Sequence, residues 1–512
     1  MTKLLKMSDA EYSPLTRVLF GLSSPTIPDT SSLSAGEVEF INPMLNDSQK
    51  HAIKFALAAP EVALCWGPPG TGKTHTLVEL ILQMIQRKLR IMVCGPSNIS
   101  VDNIVERLAP YKVPMVRLGH PARLLPSVLD HSLEVLTRTS EAAAIVQDVR
   151  KEMDGKQDSI KKTRNGRERR AIYGDLKELR REYRERESKC VDNLVRGSQV
   201  VLATLHGADS HQLRHSHFDV VIIDEVSQAL EAQCWIPLLN ASKVVLAGDH
   251  LQLPPTIKSI ASKKDEDSNE LKTLSEQLEE LSLSPGEKQA AQKMTLETTL
   301  FDRLLGLHGP NIRKMLTTQY RMHDKIMRFP SDQMYQSKLM AADAVKTRLL
   351  VDLNYRVEGT DDTKEPLVFF DTQGDDFPEQ TEDEPIGKIS SVLRDSKSNE
   401  MEAAVVKMHV QNLVAAGMPA EDVAVITPYN GQLAKLSFLL REAFPGIELG
   451  SVDGFQGREK EAVVVSLVRS NPEREVGFLA DERRLNGMSE ILPRLAGLAA
   501  TLRGRIIRAE WH

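Results

Sequence analysis

Gly67-Pro68-Pro69-Gly70-Thr71-Gly72-Lys73-Thr74 follows the apolar run Val62 to Cys65 and opens a helical pattern from Thr74 to Gln86. This is G-x-x-x-x-G-K-[ST] between a strand and a helix, the context a phosphate-binding loop requires. Glycines let backbone N–H groups turn inward around phosphate oxygens, and the helix start adds a favourable dipole. Lys73 brings a point charge for the β and γ phosphates, Thr74 a hydroxyl for magnesium, and His75 follows directly. ATP with Mg2+ is the ligand this pattern implies, and a fold built around such a loop is α/β.

The surrounding sequence agrees. Val62 to Cys65, Arg90 to Cys94, Val200 to Ala203, Val220 to Ile223 and Lys243 to Ala247 are short β-branched runs that read as buried parallel strands. Thr74 to Gln86 and Val101 to Leu108 read as the helices between them. The theme repeats at Leu367 to Phe370, Val423 to Thr427 and Ala462 to Leu467, with helices at Glu400 to Ala416 and Gly431 to Arg441. A chain of 512 residues exceeds what one core usually serves, about 250–300 residues. Two tandem P-loop-type α/β lobes with parallel sheets are therefore expected. Lobe one spans 46–306 and lobe two 307–486, with a remnant at 1–45 and an atypical tail at 487–512.

Three stretches stand apart. From Glu141 to Cys190, Lys and Arg outnumber Asp and Glu 15 to 11, with opposite charges often three or four residues apart. This predicts a helical insertion over 140–192, either a solvated helix pair or a basic arm that also touches nucleic acid. Ser259 to Met294 and the acidic Val357 to Pro385 read as flexible surface connections.

Composition narrows the class. With 41% hydrophobic and 27% charged residues and a net charge of -6, the chain reads as a soluble enzyme, and any nucleic acid must follow a local basic path. Four cysteines far apart suggest neither zinc nor disulfides and fit a reducing compartment. No apolar run approaches the roughly 20 residues of a membrane span.

Val220-Val221-Ile222-Ile223-Asp224-Glu225 sets two carboxylates at a buried strand end. Phosphoryl transfer divides labour between such a pair. Asp224 is assigned to magnesium, directly or through water, and Glu225 to orienting or deprotonating the attacking water.

Asp224-Glu225-Val226-Ser227-Gln228, Gly248-Asp249-His250-Leu251-Gln252-Leu253-Pro254-Pro255-Thr256 and Gln319-Tyr320-Arg321-Met322-His323 follow one another in the motif order of superfamily 1B helicases. With Arg117 to Leu125 and Ser451 to Glu461, the chain resembles the immunoglobulin mu-binding helicase and fungal DNA polymerase alpha-associated DNA helicase A family from Leu45 to Asn486. The resemblance implies an ATP-dependent 5′→3′ helicase on single-stranded DNA or RNA, monomeric, in the nucleus and/or cytoplasm, with replication- or ribosome-associated partners.

It also implies roles. Gln49 resembles the adenine-reading glutamine of a Q motif, although a polar helix cap explains Asp47 or Ser48 equally well. Gln252 is placed as the γ-phosphate sensor and Arg321 as a planar cation on the γ-phosphate. Tyr320 stacks on the base, and Glu459 sits near the ribose or γ-phosphate. Pro96-Ser97-Asn98, Thr204 and Thr427-Pro428-Tyr429-Asn430 offer hydroxyls and amides to backbone phosphates, with Ser97, Asn98, Thr204, Pro428 and Tyr429 as the contacts.

The sequence departs from the family after Asp481 to Asn486. Gly487-Met488-Ser489-Glu490 follows, and no Thr-Arg-Ala-Arg run, the source of a second arginine finger, appears. The break reads as an unspliced-intron read-through, and most of the family's upstream β-barrel is expected to be missing. A lost finger implies a rate deficit on the order of 10³–10⁵. A lost strand implies an open edge in the second sheet, with Leu492, Leu495, Leu498, Leu502 and Ile506 at helical spacing as its cover.

Overall fold

The computed structural model of the protein describes residues 6–27, 38–139, 141–163, 165–214, 216–255, 295–372, 377–381, 396–455, 460–471 and 495–500. They form two compact units. The first draws on Met1–Trp66, Lys73–Asp249 and Pro254–Met315, the second on Gly67–Gly72, His250–Leu253 and Leu316–His512.

In the first unit the chain runs α1 (Pro14–Leu19), α2 (Asp47–Ala58), β1 (Val62–Trp66), α3 (Lys73–Gln86), β2 (Ile91–Gly95), α4 (Asn98–Leu108) and β3 (Met115–Leu118). Then come α5 (Leu133–Thr139), α6 (Glu141–Lys162), α7 (Gly166–Gly197), β4 (Val200–Thr204), β5 (Phe218–Ile223), α8 (Glu231–Leu238), β6 (Ala241–Gly248), α9 (Leu300–His308) and β7 (Arg313–Met315). The strands pair in the order β3-β4-β2-β5-β6-β1-β7, and every pairing is parallel. β1 and β2 are buried along their whole length, which is why they read as unbroken apolar runs. α3 buries Leu77, Leu80, Ile81 and Met84, the i, i+3, i+4, i+7 stripe of a helix lying on a sheet. The charged insertion is an antiparallel helical hairpin of α6 and α7, in contact with each other.

One boundary differs from the sequence expectation. Residues 307–315 belong to the first unit, because Arg313–Met315 pairs with β1 and the Arg313 guanidinium stands 4.1 Å over the Trp66 ring. The described part of the segment before residue 46 packs into the first unit. Leu15, Val18 and Leu19 of α1 are buried in the core, and Leu19 carbonyl oxygen accepts from Arg303 Nη1 at 2.8 Å. Glu79 on α3, 1% exposed, accepts from Ile41 N–H and Asn42 N–H at 2.9 Å each and pins the chain ahead of α2.

The second unit holds β8 (Thr318–Gln319), α10 (Asp324–Met334), β9 (Met340–Ala341), β10 (Leu367–Asp371), β11 (Gln380–Thr381) and β12 (Lys397–Ser398). α11 (Glu400–Ala415), β13 (Val423–Thr427), α12 (Asn430–Leu440), β14 (Glu448–Ser451), β15 (Ala462–Ser466) and β16 (Leu495–Ala500) complete it. Its main sheet has the order β10-β16-β15-β13-β14, again all parallel. Val406, Val410 and Leu413 of α11 pack with Val423, Val425 and Val464 in its core.

Two more expectations are corrected here. The tail does not leave an open gap beside β15: Leu495–Ala500 runs as a strand between β10 and β15. Within the acidic stretch from Val357 to Pro385, the described part is structured, with a short helix at Asp361–Lys364, β10, and Thr363 fully buried. Ser259 to Met294 lies outside the described residues.

Candidate functional site

In an open parallel sheet, ligands sit beyond the carboxyl ends of the strands. Those ends carry the motif residues: Gly67 after β1, Pro96 after β2, Thr204 at the end of β4, Asp224 after β5, Asp249 after β6 and Pro428 after β13.

Within the glycine loop, Gly70 and Gly72 adopt left-handed φ values of 70° and 73°, conformations that glycine reaches without Cβ strain. Thr71 Oγ1 donates to Pro68 carbonyl oxygen at 2.7 Å and closes the loop on itself. Tyr320 N–H donates to Gly70 carbonyl oxygen at 2.8 Å. A Cβ on Gly70 would lie 2.6 Å from Arg321 Cβ, so the loop and the Gln-Tyr-Arg segment are in close contact.

In the first unit, Lys73 begins α3 and its ammonium forms an ion pair with Glu225, with Asp224 Oδ1 at 4.0 Å. Asp224 is 3% exposed. Burial pushes its carboxyl up from the ordinary range, opposed by the Lys73 cation. Its Oδ1 accepts from Glu225 N–H at 2.9 Å, and Gln228 Nε2 donates to Glu225 Oε2 at 3.0 Å. Glu225 holds a left-handed φ of 52°, a strained backbone for a non-glycine residue.

Asp224 and the half-buried Thr74 hydroxyl supply oxygen donors of the kind Mg2+ prefers. Among the described residues, no three His, Cys, Asp or Glu cluster as metal ligands. An ion here would therefore share its shell with phosphate oxygens and water, and the donor set fits that arrangement. His75 Nε2 lies 2.9 Å from Arg107 Nη1, and burial together with that cation lowers the His75 pKa.

Several assigned residues are held by neighbours. Gln49 is buried, and its side chain is part of a capping box on α2: Oε1 accepts from Asn46 N–H at 3.0 Å, and Gln49 N–H donates to Asn46 Oδ1 at 2.9 Å. The cap is therefore Asn46 rather than Asp47 or Ser48, and Gln49 Oε1 is engaged by its own helix. Gln252 is 1% exposed, whereas Tyr320 is 43% exposed. Arg321 N–H donates to Gln319 Oε1 at 2.8 Å, an atom that also accepts from Met322 N–H at 2.7 Å. Gln319, fully buried, therefore shapes the arginine's loop. Glu459 lies outside the described residues.

Of the strand-facing residues, Ser97 is exposed and caps α4, accepting from Ser100 N–H at 3.2 Å. Asn98 Oδ1 accepts from Arg117 Nη2 at 2.9 Å, and Thr204 Oγ1 accepts from Gly207 N–H at 3.1 Å. Pro428 and Tyr429 are half-buried, and Arg469 Nη1 reaches Tyr429 Oη at 3.4 Å while its Nε donates to Glu379 at 2.9 Å. Arg469 and Glu379 were not singled out in the sequence. Their pairing spans 90 residues, and no local pattern marks it.

Glu402 is another such residue. It is 1% exposed and accepts from Val468 N–H at 3.0 and 3.1 Å and from Ser466 Oγ at 2.9 Å. The four cysteines are buried and free, and burial raises the thiol pKa of Cys65, Cys94 and Cys234. No helix among the described residues is long and apolar enough to cross a membrane.

Two family models, each described as an AAA domain, match residues 44–260 and 296–488. The DNA polymerase alpha-associated DNA helicase A of Schizosaccharomyces pombe is 49% identical over 451 residues, covering 88% of this chain and 62% of that protein. Its Saccharomyces cerevisiae namesake is 43% identical over 511 residues, covering 95% of this chain and 69% of that protein. The DNA-binding protein SMUBP-2 of Mesocricetus auratus is 44% identical over 487 residues, 94% of this chain and 45% of that protein. The chain thus spans between about half and two thirds of the length of these relatives. On the continuous match to the budding-yeast protein, carried through both lobes, this chain belongs to the family of the DNA polymerase alpha-associated DNA helicase A.

Proposed function

We propose that the chain is an ATP-hydrolysing motor that moves 5′→3′ along single-stranded DNA or RNA. The observation that carries this reading is the cluster of Lys73, at the start of α3, with Asp224 and Glu225, at the end of β5. ATP with magnesium supplies the phosphoryl group and its electrophilic phosphorus. Lys73 exchanges Glu225 for phosphate oxygens, which frees that carboxylate to accept a proton from water. Thr74 and Asp224 would hold the ion, while the roles of Gln252 as γ-phosphate sensor and of Arg321, which packs against Gly70, as the cation for developing charge follow from the family resemblance.

The relatives named as helicases and as a DNA-binding protein support the motor and its track. Ser97, Asn98, Thr204, Pro428 and Tyr429 are the proposed contacts to that track. We place the protein in the nucleus and/or cytoplasm, working as a monomer with replication- or ribosome-associated proteins.

A second reading is favoured by one observation: residues 489–512 lie outside the family match. It makes the chain an ATP- and strand-binding isoform without motor activity. Strand displacement on duplexes with a 5′ or a 3′ single-stranded tail separates the two. Unwinding from the 5′ tail alone supports the motor. No unwinding from either, with intact strand binding, supports the isoform.

A further inference from the structure

The chain leaves the first unit at three points: after Trp66, after Asp249 and after Met315. Each exit leads into a segment already assigned. The glycine loop follows β1, the Gln252 loop follows β6, and the stretch carrying Gln319 and Arg321 follows β7. The exits lie side by side in the sheet, because Trp66 is the register partner of Gly248 on one side and of Met315 on the other.

Side chains join what the backbone brings together. Trp66 Nε1 donates to Asp249 Oδ1 at 2.7 Å, and both residues are buried. A buried indole N–H needs an acceptor, and a bond to a carboxylate is among the stronger kinds. The Arg313 guanidinium lies 4.1 Å over the same indole ring. Burial lowers the Arg313 pKa, and the Asp249 charge opposes that shift. The corner also reaches the carboxylate pair: Asp249 N–H donates to Ser227 Oγ at 3.3 Å, and a Cβ on Gly248 would lie 3.2 Å from Ser227 N, in the turn that follows Asp224-Glu225.

We propose that Trp66, Asp249 and Arg313 form a positioning triad that holds the roots of the glycine loop, the Gln252 loop and the Arg321 segment in one register. The three act through the segments they anchor, so the triad governs turnover rather than nucleotide affinity. A displacement of about 1 Å at reacting groups, caused from a distance, can cost about 10²-fold in rate. This rests on the reading of the chain as an ATP-hydrolysing enzyme.

The test is a double-mutant cycle in the full chain, with kcat for ATP hydrolysis and the affinity for a fluorescent ATP analogue measured side by side. Trp66→Phe keeps a ring beneath Arg313 and deletes the indole N–H, and Asp249→Asn keeps the size and deletes the charge. Each should lower kcat about 10- to 100-fold with analogue affinity retained. The double variant should lose no more than the larger single loss, because both changes break one link. Arg313→Gln leaves the Trp66–Asp249 bond in place and should also lower kcat. Lys314→Ala is its control: it removes a cation from the same strand, one that lies 5.3 Å over the Phe55 ring of α2, and should leave kcat as it was. The triad is overturned if the single losses multiply in the double variant, if affinity falls in step with kcat, or if Arg313→Gln and Lys314→Ala behave alike. No turnover by an unaltered chain that binds the analogue would overturn the hydrolysis reading and the triad with it.

Discussion

Arg117 Nε donates to Asp102 Oδ1 at 2.7 Å, and both side chains are essentially without solvent exposure, at 0% and 1%. The pair joins β3 to α4. Arg117 also donates to Asn98 Oδ1 and to Leu118 carbonyl oxygen, while Asp102 Oδ2 accepts from Leu125 N–H at 3.0 Å. One buried ion pair therefore fixes both the Ser97-Asn98 helix start and the chain from Leu118 to Leu125.

Breaking that pair leaves a buried cation with one partner gone. Asp102→Ala is expected to destabilise the first unit by about 3–5 kcal/mol, the range for an uncompensated buried charge. Urea denaturation measures it. A loss below about 1 kcal/mol would show that Arg117 finds water or another acceptor.

Glu402 makes stability depend on pH. Burial pushes its carboxyl up to about 7, against the hydrogen bonds from Val468 N–H and Ser466 that lower it. Between the ordinary carboxylate range and about 7, the folded chain holds a proton that the unfolded chain has released. This contribution to stability is full at lower pH and is lost as pH rises through about 7, at up to about 1.4 kcal/mol per pH unit. Because Asp224 also titrates upward, the quantity to measure is the difference between the unaltered chain and Glu402→Gln. That difference should shrink as pH rises from 5 to 8, and a constant difference contradicts the account.

Gly70→Ala tests the loop. The new Cβ meets Arg321 Cβ at 2.6 Å and demands a left-handed alanine. The left-handed backbone alone costs on the order of 1–2 kcal/mol. Weaker nucleotide binding with little change in the far-ultraviolet circular dichroism is expected, and unaltered nucleotide affinity would mean that the loop does not touch phosphate.

Glu225→Gln and Lys73→Ala should fail differently. The first keeps the shape but removes the base, so turnover should fall by about 10²–10⁴ with nucleotide affinity retained. The second removes the phosphate cation and should weaken binding as well. Fluorescent ATP analogues with single-turnover hydrolysis separate the two, and equal losses of affinity would contradict the division of labour.

The parts legible in the sequence are those written in contiguous residues. β1, the glycine loop and α3 follow one another in 25 residues, from Val62 to Gln86, and Asp224-Glu225 sits at a strand end marked by four apolar neighbours. What escaped depends on distant partners. Arg313–Met315 reads as the start of the second lobe until it meets β1 and Trp66. Leu495 to Ala500 carries a helical apolar period yet runs as a strand, because the space between β10 and β15 accepts only extended backbone with paired amides. Gln49 illustrates the opposite case, where a motif resemblance and a capping box share the same four residues. Val468, a β-branched residue at φ 72°, carries no mark in the sequence, since Glu402, 66 residues earlier, holds its N–H there.

The most direct test of the central claim is steady-state ATP hydrolysis by the 512-residue chain with and without single-stranded DNA or RNA, beside Lys73→Ala. The account predicts magnesium-dependent turnover that rises when strand is added and disappears in the variant. A folded chain that binds ATP and strand but hydrolyses no faster than Lys73→Ala would contradict it.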